Sequence, residues 1–257
     1  MSAARRCSSA ALRSSEGLPP LLLVAHGTRD SAGAEVALRL ADAVRRALPA
    51  VPVRLAFVDV RPPTVAHVAP ILRRAAEVVV LPAFLAAGYH VRHDLPAQLA
   101  AAGLAGRARL TPVLGADPLL AGTDPRLVAA AEDRLRDAGW RPGDATVLAA
   151  AGSSDAGARA EVAEAARALG RRLGCPVRMG YLASGAPKLA EVVASARADG
   201  QQRVAVASWL LAPGVFQRRL EDVGADVAAA PLGLHPGVLD AVLTRYFDAL
   251  GDRSAAA

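Results

Sequence analysis

The chain has 257 residues, a formal net charge of +6, 53% hydrophobic and 21% charged residues. That length is enough for one large or two ordinary domains, each with a sizeable core, and an aromatic content of 4% argues against a ring-stacking platform for single-stranded nucleic acid. The positive charge is carried by arginine, Lys188 being the only lysine; scattered without an arginine-rich block, it reads as solvated surface or as a complement to a polyanionic small molecule, with no nucleic-acid partner.

Residues 1–18 are rich in Ser, Ala and Arg and lack an apolar core, so they read as a disordered tail, not a secretory signal. Cys7, in that tail, and Cys175 are the only cysteines. Their spacing fits no zinc or redox motif, and two cysteines make no disulfide framework, which points to a cytoplasmic location. No apolar run reaches membrane-spanning length, so no membrane association is expected.

Short apolar runs at Leu21–Ala25, Val53–Val58, Val78–Leu81 and Ala108–Thr111 then alternate with helical patterns at Gly33–Leu48, Thr64–Ala76, Leu95–Ala102 and about Pro125–Ala138. This alternation predicts a parallel sheet with helices on both faces. Asp137–Asp144, with two glycines and a proline, interrupts it as a linker or tight loop. The pattern restarts with strands at Thr146–Ala150, Val177–Leu182, Arg203–Ala207 and Asp226–Ala229, and helices at Ala156–Leu173, Pro187–Ala198, Val215–Val223 and Gly237–Leu250.

The halves align. Leu22–Asp30 matches Val147–Asp155, Phe57–Pro63 matches Tyr181–Pro187, Leu85–Gly88 matches Leu211–Gly214, and Leu114–Pro118 matches Leu232–Pro236. The offset of about 125 residues is domain-sized. The expected fold class is therefore α/β, as two doubly wound parallel-sheet lobes related by internal duplication: a catalytic lobe over residues 19–139 and a degenerate lobe over 144–250. Ligands in such folds sit at the carboxyl ends of the strands.

His26 ends the first strand and His90 stands just past the third, so both are expected on one rim of the sheet. Two converging imidazoles can hold a divalent metal or accept protons from a ligand. A structural hydrogen bond is the plainer reading of any single histidine, but the repeat favours function: His26 is replaced by Ala151 and His90 by Phe216, so both are missing from the same copy. Asp59, ending the second strand, either orients a histidine, takes a proton, or is a turn residue before Arg61-Pro62-Pro63. Arg29 and Arg92 flank the histidines and either pair with ligand carboxylates or are solvated. Asp94 reads as the cap of the helix beginning Leu95-Pro96, His67 as a surface or packing residue, and His235 has no assignment. No Walker loop, Rossmann glycine triplet or Gly-x-Ser-x-Gly elbow occurs.

Val24-Ala-His-Gly-Thr-Arg-Asp30 and Leu81-Pro-Ala-Phe-Leu-Ala-Ala-Gly-Tyr-His-Val-Arg-His-Asp-Leu-Pro96 resemble the paired signatures of the sirohydrochlorin chelatases, the class II chelatases of cobalamin and siroheme biosynthesis. The resemblance extends from about Pro19 to Tyr246. It implies insertion of cobalt(II) or iron(II) into a tetrapyrrole, without nucleotide and with no cofactor beyond the substrate metal. It maps the two active-site histidines onto His26 and His90 and an active-site carboxylate onto Asp59, where the family commonly has Glu; Thr28 stands where Ser is usual. Two-lobed members with a degenerate second lobe look most like this chain, and two fused lobes in place of a homodimer imply a monomer. A ring of substrate carboxylates suits an arginine-rich protein, because guanidinium binds carboxylate bidentately. The competing reading is a metal or tetrapyrrole carrier using the same cleft; a histidine phosphatase is disfavoured, because Ala25 stands in the arginine position of its Arg-His-Gly-Thr motif and removes a phosphate ligand.

Overall fold

A computed structural model describes residues 17–117 and 122–251; Cys7, Pro118 and all but the last two residues of the tail lie outside them. The first half runs β1 (Leu21–Ala25), α1 (Ser31–Ala47), β2 (Val53–Phe57), α2 (Val65–Leu72), β3 (Val78–Pro82), α3 (Leu95–Ala101), β4 (Ala108–Leu110), the two-residue strands β5 (Ala116–Asp117) and β6 (Gly122–Thr123), and α4 (Pro125–Asp137). The second runs β7 (Ala145–Gly152), α5 (Ala156–Leu173), β8 (Val177–Ser184), α6 (Leu189–Ala198), β9 (Val204–Trp209), α7 (Val215–Glu221), β10 (Val227–Ala228) and α8 (Pro236–Gly251).

Two separate four-stranded sheets form, in the orders β2-β1-β3-β4 and β8-β7-β9-β10, and every pairing within them is parallel. The repeat read in the sequence is thus a repeat of topology. In each sheet the order reverses beside the first strand of its half, which creates the crevice where doubly wound folds bind ligands.

Alternation along the central strands divides the interior into layers. Leu21 and Leu23 of β1, and Leu148 and Ala150 of β7, join one large core. Leu22 and Val24 instead face α2 and α3, and Val147 and Ala149 face α6 and α7. The large core contains residues of both sheets and of α1, α4, α5 and α8, so the lobes are joined by shared apolar surface, which is costly to expose.

Within that core two helices change sides. α4 packs on β9 and α5, and α8 packs on β3 and α1. Each half therefore lends its last helix to the other half's sheet. Arg245 of α8, 2% exposed, pairs at 2.9 Å with the fully buried Asp124 that caps α4. It also donates to the carbonyls of Leu114 and Ala116. The Tyr246 hydroxyl donates to Pro19 O at 2.8 Å, and Arg109 donates to Ala249 O at 2.6 Å.

Most predicted elements form, with two differences of note. The helix expected over Thr64–Ala76 ends at Leu72. Its buried positions run out there, and the carbonyls of Arg73 and Ala75 are taken by the Arg107 guanidinium at 2.7 and 3.0 Å, not by another helical turn. The β5–β6 hairpin is too short to show any alternation in sequence. His67, read as a surface or packing residue, is exposed and its Nδ1 accepts the Thr64 N–H at 3.3 Å, satisfying one of the orphan donors of the first turn.

The duplicated turns after β1 and β7 need glycine. Gly27 and Gly152 have φ of +97° and +101°, and a Cβ at Gly152 would lie 1.8 Å from Ser184 O. Because that obstacle is backbone, Gly152→Ala is expected to destabilise the protein by about 1–3 kcal/mol through overpacking alone, with left-handed strain added. Urea unfolding measures it; an unchanged midpoint contradicts the packing described.

Candidate active site

A cleft of about 800 Å³ lies between the carboxyl ends of the two sheets and is lined by residues of both halves. His26 enters it directly from β1. The ladder continues past the strands: Val58 donates to Ala25 O at 2.9 Å and Asp59 donates to His26 O at 3.0 Å. A Cβ at Gly27 would fall 2.0 Å from Asp59 O, so glycine allows this close approach.

His90 arrives from the segment after β3. It opens a π-helical turn, His90–Asp94, that runs straight into α3. The His26 and His90 rings are 4.5 Å apart between centroids and nearly perpendicular at 84°, with Phe84 6.0 Å from His26. The two histidines that the sequence placed on one rim are in contact.

Their hydrogen bonds assign the nitrogens. His26 Nδ1 lies 3.0 Å from Gly27 O, and a carbonyl only accepts, so this nitrogen carries the proton. His90 Nδ1 lies 2.6 Å from Asp94 Oδ2, which gives the same tautomer when the imidazole is neutral. Both rings thus present an Nε2 lone pair, able to bind a metal or receive a proton.

Asp94 is therefore no helix cap. Its backbone is helical (φ −69°, ψ −45°) and its side chain makes no cap bond; it bonds back to His90 across one turn of a continuous helical segment. The signal for this was present as His-x-x-x-Asp, since residues four apart share a helix face. His93 packs instead against Tyr89, ring centroids 4.8 Å apart.

Asp59 contributes backbone to the site. Its Oδ1 accepts the Val60 N–H at 2.7 Å, closing a turn in which Val60 has φ +72°, and Val60, not Asp59, lines the cleft. Arg29 does line the cleft and has no acidic partner among the described residues. Arg92 does not line it. Its Nε donates to Ala87 O at 2.7 Å, and the guanidinium reaches Asp155 at 3.5 Å and Glu161 at 3.7 Å in the second half.

That bridge has a counterpart. Arg218, at the position matching Arg92, pairs with Asp30, at the position matching Asp155, at 2.6 Å. Asp30 and Asp155 cap α1 and α5, so an arginine on the helical segment after the third main strand of each lobe grips the other lobe's helix cap. The Arg218 hydrogen bond holds the Asp30 carboxyl below its ordinary range. The Ala158 N–H, helped by the Arg92 charge, does the same for Asp155.

The second lobe faces the cleft with Ala151, Ser153, Arg159, Trp209 and Phe216. Among the described residues no group of three or more His, Cys, Asp or Glu side chains can hold a metal, so a metal at His26 and His90 would have protein ligands on one side only. His235, in a loop before α8, accepts the Gly237 N–H at 3.1 Å and lies 3.2 Å from Asp133. No described helix is long and apolar enough to cross a membrane.

The CbiX family model matches residues 20–138 and again 145–249. The sirohydrochlorin ferrochelatase of Priestia megaterium is 26% identical over 231 residues, 85% of each chain. The sirohydrochlorin cobaltochelatase of Sulfolobus acidocaldarius is 35% identical over 81 residues, 31% of this chain and 64% of that protein. Among solved structures, SirB from Bacillus subtilis with Fe3+ superposes with a TM-score of 0.76 at 21% identity, covering 92% of this chain and 97% of that one; at that identity the likeness is one of fold.

Proposed function

The chain belongs to the CbiX family of sirohydrochlorin chelatases, and we propose that it inserts cobalt(II) or iron(II) into sirohydrochlorin in cobalamin or siroheme biosynthesis. The observation that carries the reading is the pair of imidazoles in contact in the lining of a cleft large enough for a drug-sized or larger ligand. In this reading the metal ion and the macrocycle are both substrates, and no nucleotide or resident cofactor takes part. The chain acts as a monomer in the cytoplasm.

The residues divide the work. The Nε2 atoms of His26 and His90 hold the incoming metal from one side, leaving its other positions for macrocycle nitrogens. The two neutral imidazoles, once released from the metal, each take one of the two pyrrole protons that insertion displaces, a task suited to histidine near neutral pH. Asp94 orients His90 and keeps its proton on Nδ1, as second-shell carboxylates do for imidazole ligands. Asp59 is given no role in this scheme, because Val60 and not Asp59 lines the cleft.

Steady-state insertion assays with cobalt and with iron test the proposal. Multiple turnovers per chain support it; a single stoichiometric event with either metal makes the protein a carrier. The same assay addresses Arg29. Arg29→Ala is expected to raise the KM for sirohydrochlorin about tenfold or more, the loss of one desolvated charge-assisted contact, with a smaller effect on kcat. An unchanged KM places Arg29 among the solvated surface residues.

A further inference from the structure

About half of the arginines among the described residues form ion pairs. Arg92, Arg126, Arg172, Arg203, Arg218 and Arg245, among others, each meet a carboxylate. Of the arginines that line the cleft, Arg29 and Arg159, neither makes a direct ion pair among the described residues, although the Arg159 charge is felt by Asp155. Arg29 stands beside the histidine site in the first lobe. Arg159 stands in the second, on the first turn of α5.

Arg159 is built into its place. Its Nη1 donates to Ser153 O at 3.1 Å and to Ser154 O at 2.7 Å, which ties the guanidinium to the turn after β7. A guanidinium has five N–H donors in a fixed fork, and those two bonds use one nitrogen. The Nε and Nη2 edge, the one that grips a carboxylate bidentately, makes no hydrogen bond among the described residues. Nearby at the cleft wall, Trp209 is 3% exposed and its buried indole N–H has no acceptor.

These residues are also where the two copies diverge. By the repeat, Arg159 matches Ala34, Trp209 matches Ala83, Ala151 matches His26 and Phe216 matches His90. The second lobe has lost the metal-binding pair and carries a cation, an indole donor and an apolar ring instead. We propose that the second lobe is the recognition half of the cleft, with Arg159 anchoring a peripheral carboxylate of the macrocycle and so setting which edge of the ring faces His26 and His90. The proposal rests on sirohydrochlorin, or a like polycarboxylate tetrapyrrole, being the substrate.

The test is equilibrium binding of metal-free sirohydrochlorin, followed by its fluorescence, to the wild type, Arg159→Gln and Arg159→Lys. The same titrations are run with the fully esterified macrocycle. Arg159→Gln is expected to weaken binding of the carboxylate form by about tenfold to a hundredfold, the range for one charge-assisted contact. Arg159→Lys should recover part of it, since the charge remains and the fork is lost. The ester should bind the wild type and Arg159→Gln alike, which separates loss of a carboxylate contact from collapse of the turn that Arg159 braces.

Equal affinity of wild type and Arg159→Gln for the free acid overturns the anchor and leaves the chelatase reading standing. Equal weakening for acid and ester also overturns it, and makes Arg159 a brace of the turn. Failure of the wild type to bind sirohydrochlorin removes both readings together.

Discussion

Replacing either His26 or His90 with alanine is expected to reduce metal insertion by at least tenfold and by as much as about 10⁴-fold, the range for a positioned acid–base group. The argument is geometric. The rings touch at 4.5 Å between centroids, both Nδ1 atoms are occupied by acceptors, and the two Nε2 atoms are the free ligands of the cleft. Because they act on one metal, the double variant should be little worse than either single one, as for groups that work as a unit. Titration with cobalt(II) provides a readout independent of turnover: one equivalent bound by the wild type and none by the double variant. A surviving histidine-type site would place chemistry elsewhere, with His235 the first residue to test. Asp94→Ala should cost less, about 10–100-fold, as for outer partners of ligating histidines. Nitrogen NMR of His90 should show its proton leaving Nδ1, a change that mere loosening of the fold does not produce, and Asp94→Asn, which keeps an acceptor, should restore the tautomer. Wild-type insertion rates in folded His26→Ala and His90→Ala proteins would end the proposal.

The second large effect concerns the exchanged helices. Asp124→Ala is expected to destabilise the protein by about 3–5 kcal/mol, because it strands the buried Arg245 guanidinium away from water; Arg245→Ala should cost less, since Arg126 still pairs with Asp124 at 2.7 Å. Asp124 is fully buried and Arg245 is 2% exposed. Asp124 also caps α4, accepting the Arg126 N–H at 2.9 Å, so its loss removes a cap worth about 1 kcal/mol as well. Replacing both residues with apolar ones of similar volume should recover part of the loss, because the one charge then left without its partner, Arg126, is about a third exposed and can turn to water. Chemical denaturation monitored at Trp140 and Trp209 decides it. Both report on the one core that the exchange creates, so they should lose structure in a single shifted transition. A change below about 1 kcal/mol for Asp124→Ala, the size typical of an exposed pair, would mean that α8 is not held as described.

Much of the architecture was legible because it depends on local pattern. Leu21–Ala25 and Val78–Pro82 are buried on both faces, and such strands must be continuously apolar; the helices show their period against them. The duplication was legible because two copies of one topology kept the same glycines at the same strand ends, where backbone approaches backbone. His26 and His90 were legible because strand ends in a doubly wound sheet converge on one rim, and because both are missing from one copy. What the sequence by itself determined was therefore the strands and helices, the repeat and the address of the site. Only the tertiary structure decided that α4 and α8 cover each other's sheets, that Arg92 grips Asp155 and Glu161 rather than lining the cleft, that Asp59 accepts from the Val60 N–H while Asp94 holds His90, and that Arg159 lines the cleft from the second lobe without a direct ion pair among the described residues. The reason is physical. Periodicity records which face of an element is buried, but not which distant element buries it. The partner of a long charged side chain is chosen by what lies within a few ångströms after folding, across separations of tens to more than a hundred residues that carry no local signature.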